Sequence, residues 1–94
     1  MQYLIFGYSM LTLVIYMRYD ILKFENIRKL RIDNGYTQEE IAKLLNIKQN
    51  TYSQYEIGTL NYPVDALMIL ADFYQVSVDY LLGRTEVKTP YPKK

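Results

Sequence analysis

The chain has 94 residues, half of them hydrophobic, a net charge of +1, and neither cysteine nor histidine. This length allows one hydrophobic core, and the missing residue types exclude disulfide frameworks, zinc sites built from Cys and His, thiol nucleophiles and Ser-His-Asp triads. A charge so close to neutral is not by itself typical of a nucleic-acid-binding protein, so any anion-binding function must depend on the local placement of side chains.

Composition divides the chain into three parts. Residues 1–17 carry no charge, residues 18–83 hold short amphipathic segments, and residues 84–94 contain two of the three prolines, which predicts a flexible tail. As a helix, the uncharged stretch from Tyr3 to Met17 would be ~22 Å long, which is short against ~30 Å of hydrocarbon. Two hypotheses stay open for it. Residues 1–16 lie upstream of a true start at Met17, or they form a real hydrophobic element that packs on the domain, joins a dimer or touches a membrane.

The middle part predicts an all-α fold of five short helices. The first covers about 24–34 and ends at the Asn34-Gly35 pair. Its apolar contacts are predicted at Phe24, Ile27, Leu30 and Ile32.

The second helix is predicted to begin at Thr37, which forms a capping box with Glu40. Its predicted buried face is Ile41, Leu44 and Leu45, with Ala42 beside them. The third helix covers about 49–57 and ends at Gly58.

The fourth helix is predicted to carry Pro63 in its first turn, where the missing N–H is tolerated. Its apolar residues recur at helical spacing at Val64, Leu67, Leu70, Ala71 and Tyr74. The fifth covers 77–82, with Ser77 as its cap and Gly83 as its stop.

The twenty residues from Gln38 to Ile57 satisfy the helix-turn-helix pattern. The small residue that lets the two helices approach is Ala42, and the turn residue that tolerates a positive φ is Asn46. The five positions that must face the core are all apolar or aromatic: Ile41, Leu45, Ile47, Tyr52 and Tyr55. All seven special positions are therefore filled acceptably.

The run "IRKLRIDNGYTQEEIAKLLNIKQNTYSQYEIG", followed by Pro63 and "LADFYQVSVDYLLG", resembles the Cro/C1-type (XRE) helix-turn-helix family of bacterial and phage regulators over about residues 24–84. The resemblance implies a five-helix, lambda-repressor-like DNA-binding domain, usually dimeric, that binds operators through its third helix. It also implies a phosphate contact for Gln38, base contacts for Gln49, Asn50 and Gln54, and an ion pair between Arg31 and Glu56.

The chemistry of the third helix favours the same function. Gln and Asn can bind adenine bidentately in the major groove, and Lys suits guanine. The predicted base contacts are Lys48, Gln49, Asn50, Ser53 and Gln54, and the predicted phosphate contacts are Gln38, Thr51, Asn61 and Tyr62. Lys48 lies where Ser, Thr or Asp would cap the helix better, so we interpret it as a residue kept for binding.

We therefore expect a cytoplasmic, dimeric repressor that binds a palindromic operator and needs no cofactor or metal. Two alternatives stay open. The first is a protein-interaction module such as an antitoxin or adaptor. It is supported by the eight acidic against five basic residues between Phe24 and Gly83, and by the loop "TLNY" after the third helix, which has no cation. The uncharged stretch 3–17 would instead suit a membrane-tethered regulator. The sequence shows no nucleophile paired with a general base, so nothing in it indicates an enzyme.

Overall fold

The computed structural model describes residues 25–93, and this part of the chain contains five helices and no strand. Helix α1 includes residues 25–33. It is followed by α2 (Gln38–Leu45), α3 (Gln49–Ile57), α4 (Val64–Tyr74) and the single-turn α5 (Val78–Leu81). The predicted all-α, five-helix fold is thus confirmed over these residues. Phe24 and the segment 1–17, with the predictions that concern them, lie outside the described residues.

The turn from α2 to α3 is built as the sequence predicts. Thr37 caps α2, and its hydroxyl and backbone exchange hydrogen bonds with Glu40 in a complete capping box. Asn46 ends α2 with a left-handed φ of 59°. Only a few residue types adopt this left-handed conformation without strain, and it lets the chain turn sharply into α3. Gly58 then ends α3 at a φ of 99°, where a Cβ would be strained.

One continuous core joins the helices. The fully buried side chains come from α1, α2, α3, α4 and α5 in turn: Ile27, Ile41, Tyr52, Leu70 and Leu81. Leu45 and Ile47, on either side of the turn, are partly buried and pack against this core. The inward side of the helix-turn-helix unit therefore belongs to one core with residues of the other helices.

Four details differ from the sequence-based expectations. Ile32, Leu44 and Val64 are exposed rather than buried. These three residues follow the apolar spacing of their helices, but no described element covers the side on which they lie. Pro63 is the N-cap of α4 rather than a residue of its first turn, with an extended backbone at φ −65° and ψ 155°.

Residues 84–93 form no helix and lie against α4 and α5 through several hydrogen bonds. Their flexibility stays a prediction. No helix within residues 25–93 is long and apolar enough to cross a lipid bilayer.

Candidate nucleic-acid interface

One edge of α3 carries polar side chains that face solvent. Lys48, Gln49 and Asn50, at the start of the helix, are exposed. Ser53 and Gln54, one turn further on, are half-buried. Because residues four apart lie above one another on a helix, Gln49 and Ser53 share one row and Asn50 and Gln54 another. The four predicted base contacts within the helix therefore share one side of α3, and Lys48 precedes them as its N-cap.

The start of α3 has no side-chain cap. Lys48 occupies the N-cap position with extended backbone, and its side chain makes no capping hydrogen bond. No acidic residue lies in the first turn of the helix. The free backbone N–H groups and the positive end of the helix dipole are therefore left beside a cation, an arrangement that attracts an anion.

A hydrogen-bond network centred on Glu56 holds the last turn of α3. Arg31 donates from Nε to Oε2 of Glu56 over 2.7 Å and from Nη2 to Oε1 over 3.1 Å. Tyr52 donates its hydroxyl to Oε2 over 2.6 Å, and Gln38 donates from Nε2 to Oε1 over 3.0 Å. One carboxylate therefore connects α1, α2 and α3.

The network stabilises the charged form of Glu56. Its side chain is only 3% exposed, and burial by itself raises the pKa of the carboxyl. The hydrogen bonds from Arg31, Tyr52 and Gln38, together with the positive charge of Arg31, outweigh burial, so the pKa of Glu56 lies below its ordinary value. The hydrogen bond from Arg31 also raises the pKa of its guanidinium, and the ion pair stays charged on both sides.

A cluster of three tyrosines fixes the inner face of α3. The ring of Tyr62 lies 5.0 Å from that of Tyr55 and 6.3 Å from that of Tyr52, and all three residues are buried. Aromatic pairs at these distances add stability beyond their buried area. α3 is thus attached through both polar and aromatic contacts, and its outer edge is rigidly presented.

The predicted phosphate contacts occupy different environments. Asn61 is exposed, Thr51 is half-buried, and Gln38 is half-buried with its amide nitrogen bound to Glu56. Tyr62 lies in the core, and its hydroxyl oxygen is shielded from solvent. Its side chain is therefore not placed to reach a phosphate, because it packs against Tyr52 and Tyr55 instead of joining the surface of the loop.

Two contacts of Glu56 were missed at the sequence level. The contact with Tyr52 could have been predicted, because Tyr52 and Glu56 are four residues apart on one helix. Nothing in the sequence indicates that Gln38 reaches Glu56, since this contact depends on the angle between α2 and α3. Within residues 25–93, no cluster of His, Cys, Asp or Glu could hold a metal ion.

Comparison with known proteins also indicates a helix-turn-helix domain. A helix-turn-helix family model matches residues 27–81, which is more than half of the chain. The HTH-type transcriptional regulator ImmR of Bacillus subtilis is 43% identical over 63 residues, covering 67% of this chain and 50% of ImmR. The cryptic phage CTXphi transcriptional repressor RstR of Vibrio cholerae is 37% identical over 60 residues, covering 64% of this chain and 54% of RstR.

An antitoxin is also among the relatives. PezA of Streptococcus pneumoniae is 30% identical over 66 residues, covering 70% of this chain and 42% of PezA. The match thus spans about half the length of these relatives. No solved structure matches significantly. The matched residues, the five helices and the turn at Asn46 together establish that the chain belongs to the Cro/C1-type helix-turn-helix family of transcriptional regulators.

Proposed function

We propose that this protein is a sequence-specific DNA-binding transcriptional regulator that inserts α3 into the major groove. The observation that carries the proposal is the division of α3 into buried residues and exposed polar residues. Tyr52, Tyr55 and Glu56 are buried and fix the helix to the domain. Lys48, Gln49 and Asn50 stay exposed at its start. A major groove admits one α-helix, and a rigid helix with free amides can read base edges there.

Base reading is assigned to five residues of this edge: Lys48, Gln49, Asn50, Ser53 and Gln54. The amides of Gln49 and Asn50 can each donate to and accept from the major-groove edge of adenine. Lys48 suits the acceptors of guanine or a nearby phosphate. Ser53 and Gln54 follow one turn later and extend the reading along the groove.

Phosphate contacts are assigned to Gln38, Thr51 and Asn61. All three are neutral, and the loop after α3 contributes no cation. Each Lys or Arg that contacts a phosphate steepens the salt dependence of binding, because counterions are released. We therefore expect a shallow salt slope and a large contribution of base contacts to affinity.

We further propose a homodimer that binds a palindromic operator and acts as a repressor in the cytoplasm. One α3 offers few charged contacts, and a second copy doubles the contact area. Two α3 helices would lie ~34 Å apart, one turn of DNA, to meet adjacent half-sites. The repressor RstR and the regulator ImmR support transcriptional control as the outcome.

Selection from a random double-stranded DNA library tests this proposal. The full chain is incubated with the library at low salt, and the retained sequences are determined. We expect an enriched inverted repeat whose half-sites are centred 10–11 base pairs apart, as ~34 Å of duplex requires. Absence of any enriched motif would contradict the proposal.

A protein-interaction module with the same fold is the second candidate. The antitoxin PezA and the cation-free loop after α3 favour it. Such a module would bind a protein partner with the same exposed edge and would retain no DNA sequence above background. The DNA selection therefore separates the two candidates directly.

A further inference from the structure

The side chain of Gln38 forms one hydrogen bond within residues 25–93. Its Nε2 donates to Oε1 of Glu56 over 3.0 Å, which connects the first residue of α2 to the last turn of α3. Gln38 is half-buried, so part of its side chain stays accessible to solvent. The amide is therefore fixed on one side by Glu56 and keeps a further N–H for a ligand.

Glu56 determines which way this amide is turned. A carboxylate accepts hydrogen bonds and donates none, so only the nitrogen of the amide can face it. The opposite orientation would place the amide oxygen of Gln38 against a carboxylate oxygen. The amide nitrogen carries two N–H groups in one plane, so when the first is bound to Oε1 the second is directed away from Glu56.

The acceptor is itself held in place. Arg31 binds both oxygens of Glu56, at 2.7 and 3.1 Å, and the hydroxyl of Tyr52 binds Oε2 over 2.6 Å. The side chain of Glu56 is only 3% exposed, and its pKa lies below the ordinary value, so it is charged at neutral pH. The amide of Gln38 is thus bound to a fixed and ionised acceptor.

Orientation matters for Gln38 because charge does not favour a phosphate at this place. Phosphate oxygens accept hydrogen bonds, so a phosphate needs an N–H of this amide and not its oxygen. The next two residues in the first turn of α2 are the acidic Glu39 and Glu40. Their carboxylates repel a phosphate, so the contact depends on a neutral donor that already points in the right direction.

We propose that Glu56 is a positioning residue for DNA binding: by accepting one N–H of Gln38, it directs the second N–H toward a phosphate oxygen. The inference rests on the proposed DNA-binding function and gives a role in it to a residue that does not itself touch DNA. Glu56 then acts in two ways, because the carboxylate that holds α3 to α1 also orients the donor at the start of α2.

Double-mutant cycles on the selected operator separate these two roles, with affinities measured by fluorescence anisotropy. Gln38→Met removes the amide but keeps the length of the side chain, and it should reduce the affinity of the parent chain about tenfold. Glu56→Gln introduces an amide that can donate as well as accept, so either orientation of Gln38 becomes possible. In that background Gln38→Met should cost less than about threefold.

Two controls keep the result specific. Tyr52→Phe removes one hydrogen bond from Glu56 but leaves the acceptor of Gln38, so Gln38→Met should still cost about tenfold there. Gln49→Ala, on the helix that Glu56 holds, should cost the same factor in the parent and in the Glu56→Gln background. An equal cost of Gln38→Met in all three backgrounds would overturn the inference. So would a cost of Gln49→Ala that falls together with it, because Glu56 would then only hold α3. A parent chain that binds no operator would instead contradict the proposed function.

Nuclear magnetic resonance of the free parent chain tests the positioning without DNA and without a variant. Relaxation of the ¹⁵N nucleus in the side-chain amide of Gln38 should show it nearly as rigid as the backbone of α2. The amide of the exposed Asn61 provides the mobile reference. A Gln38 amide as mobile as that of Asn61 would overturn the inference, even where Glu56→Gln fails to fold.

Discussion

The guanidinium of Arg31 on α1 and the carboxylate of Glu56 on α3 form a two-point ion pair, with donor–acceptor distances of 2.7 and 3.1 Å. Arg31 also donates from Nη1 to the carbonyl of Tyr36 over 2.9 Å, so both terminal nitrogens of its guanidinium form hydrogen bonds. The carboxylate of Glu56 is buried in the last turn of α3, with its side chain only 3% exposed. Its role is therefore to hold the helix in place.

Arg31→Ala should destabilise the domain strongly. The variant leaves a carboxylate that is only 3% exposed without its cation, and removing one partner of a buried pair costs about 3 kcal/mol. Urea unfolding followed by circular dichroism measures the loss. Arg31→Lys keeps the charge but cannot form the fork, so its loss should be intermediate.

The exposed pair of Lys93 and Asp72 provides the matched control. Lys93→Ala should change the free energy of unfolding by less than ~1 kcal/mol, because solvent screens both groups. Equal losses in the Arg31 and Lys93 variants would contradict the structural role given to Glu56.

Stability should fall with acidification because of Glu56. Its pKa in the folded chain is below the ordinary value of 4.5, so its contribution is fully present above that value. As the pH drops below this ordinary value and through the pKa of Glu56 in the folded chain, the unfolded chain binds the proton first. The contribution of Glu56 to the free energy of unfolding is then lost. Glu56→Gln should flatten this part of the pH profile of unfolding, measured from pH 7 to pH 2. A variant with the parent's profile would contradict it.

Asn46→Ala should destabilise the turn between α2 and α3. The residue has a φ of 59°, and a left-handed backbone costs alanine roughly 1 kcal/mol relative to glycine. Asn46→Gly is the control, because glycine adopts the same backbone without strain. Thermal unfolding of the pair measures the difference, and equal melting temperatures would refute the turn argument.

Lys48→Ser should stabilise the fold and weaken DNA binding. A serine at the N-cap can accept from the free N–H groups of α3, which is worth ~1 kcal/mol or about 4–8 °C in the melting temperature. The lost cation should reduce affinity for the selected operator, measured by fluorescence anisotropy. Lys29→Ser changes an exposed lysine of α1 and should leave affinity unchanged. Unchanged affinity in Lys48→Ser would remove Lys48 from the interface.

Local signals in the sequence were sufficient for the turn between α2 and α3 and for the end of α3. The capping box at Thr37, the left-handed Asn46 and the stop at Gly58 depend on neighbours within a few residues, and the structure contains all three. The exposure of Ile32, Leu44 and Val64 depends instead on which helix faces lack a neighbour, and apolar spacing alone does not determine this. The attachments of the tail to Asp72 and Asp79 join residues 12 to 21 positions apart and leave no periodic pattern.

Burial of Tyr62 shows the same limit at the interface. Its position in a short polar loop after α3 suggested a surface donor, but its ring completes a cluster with Tyr52 and Tyr55. The outer edge of α3 could be predicted more directly, because it consists of those residues of a single helix that do not pack into the core.

The most direct test of base reading by α3 is a double-mutant cycle between Gln49 and one operator base pair. Affinities of the parent chain and of Gln49→Ala are measured for the selected operator and for every single-base variant of one half-site. We expect Gln49→Ala to cost about 1–3 kcal/mol on the operator and to relax discrimination at one position only. A uniform loss of affinity across all the variants, or no loss at all, would contradict base reading by this helix.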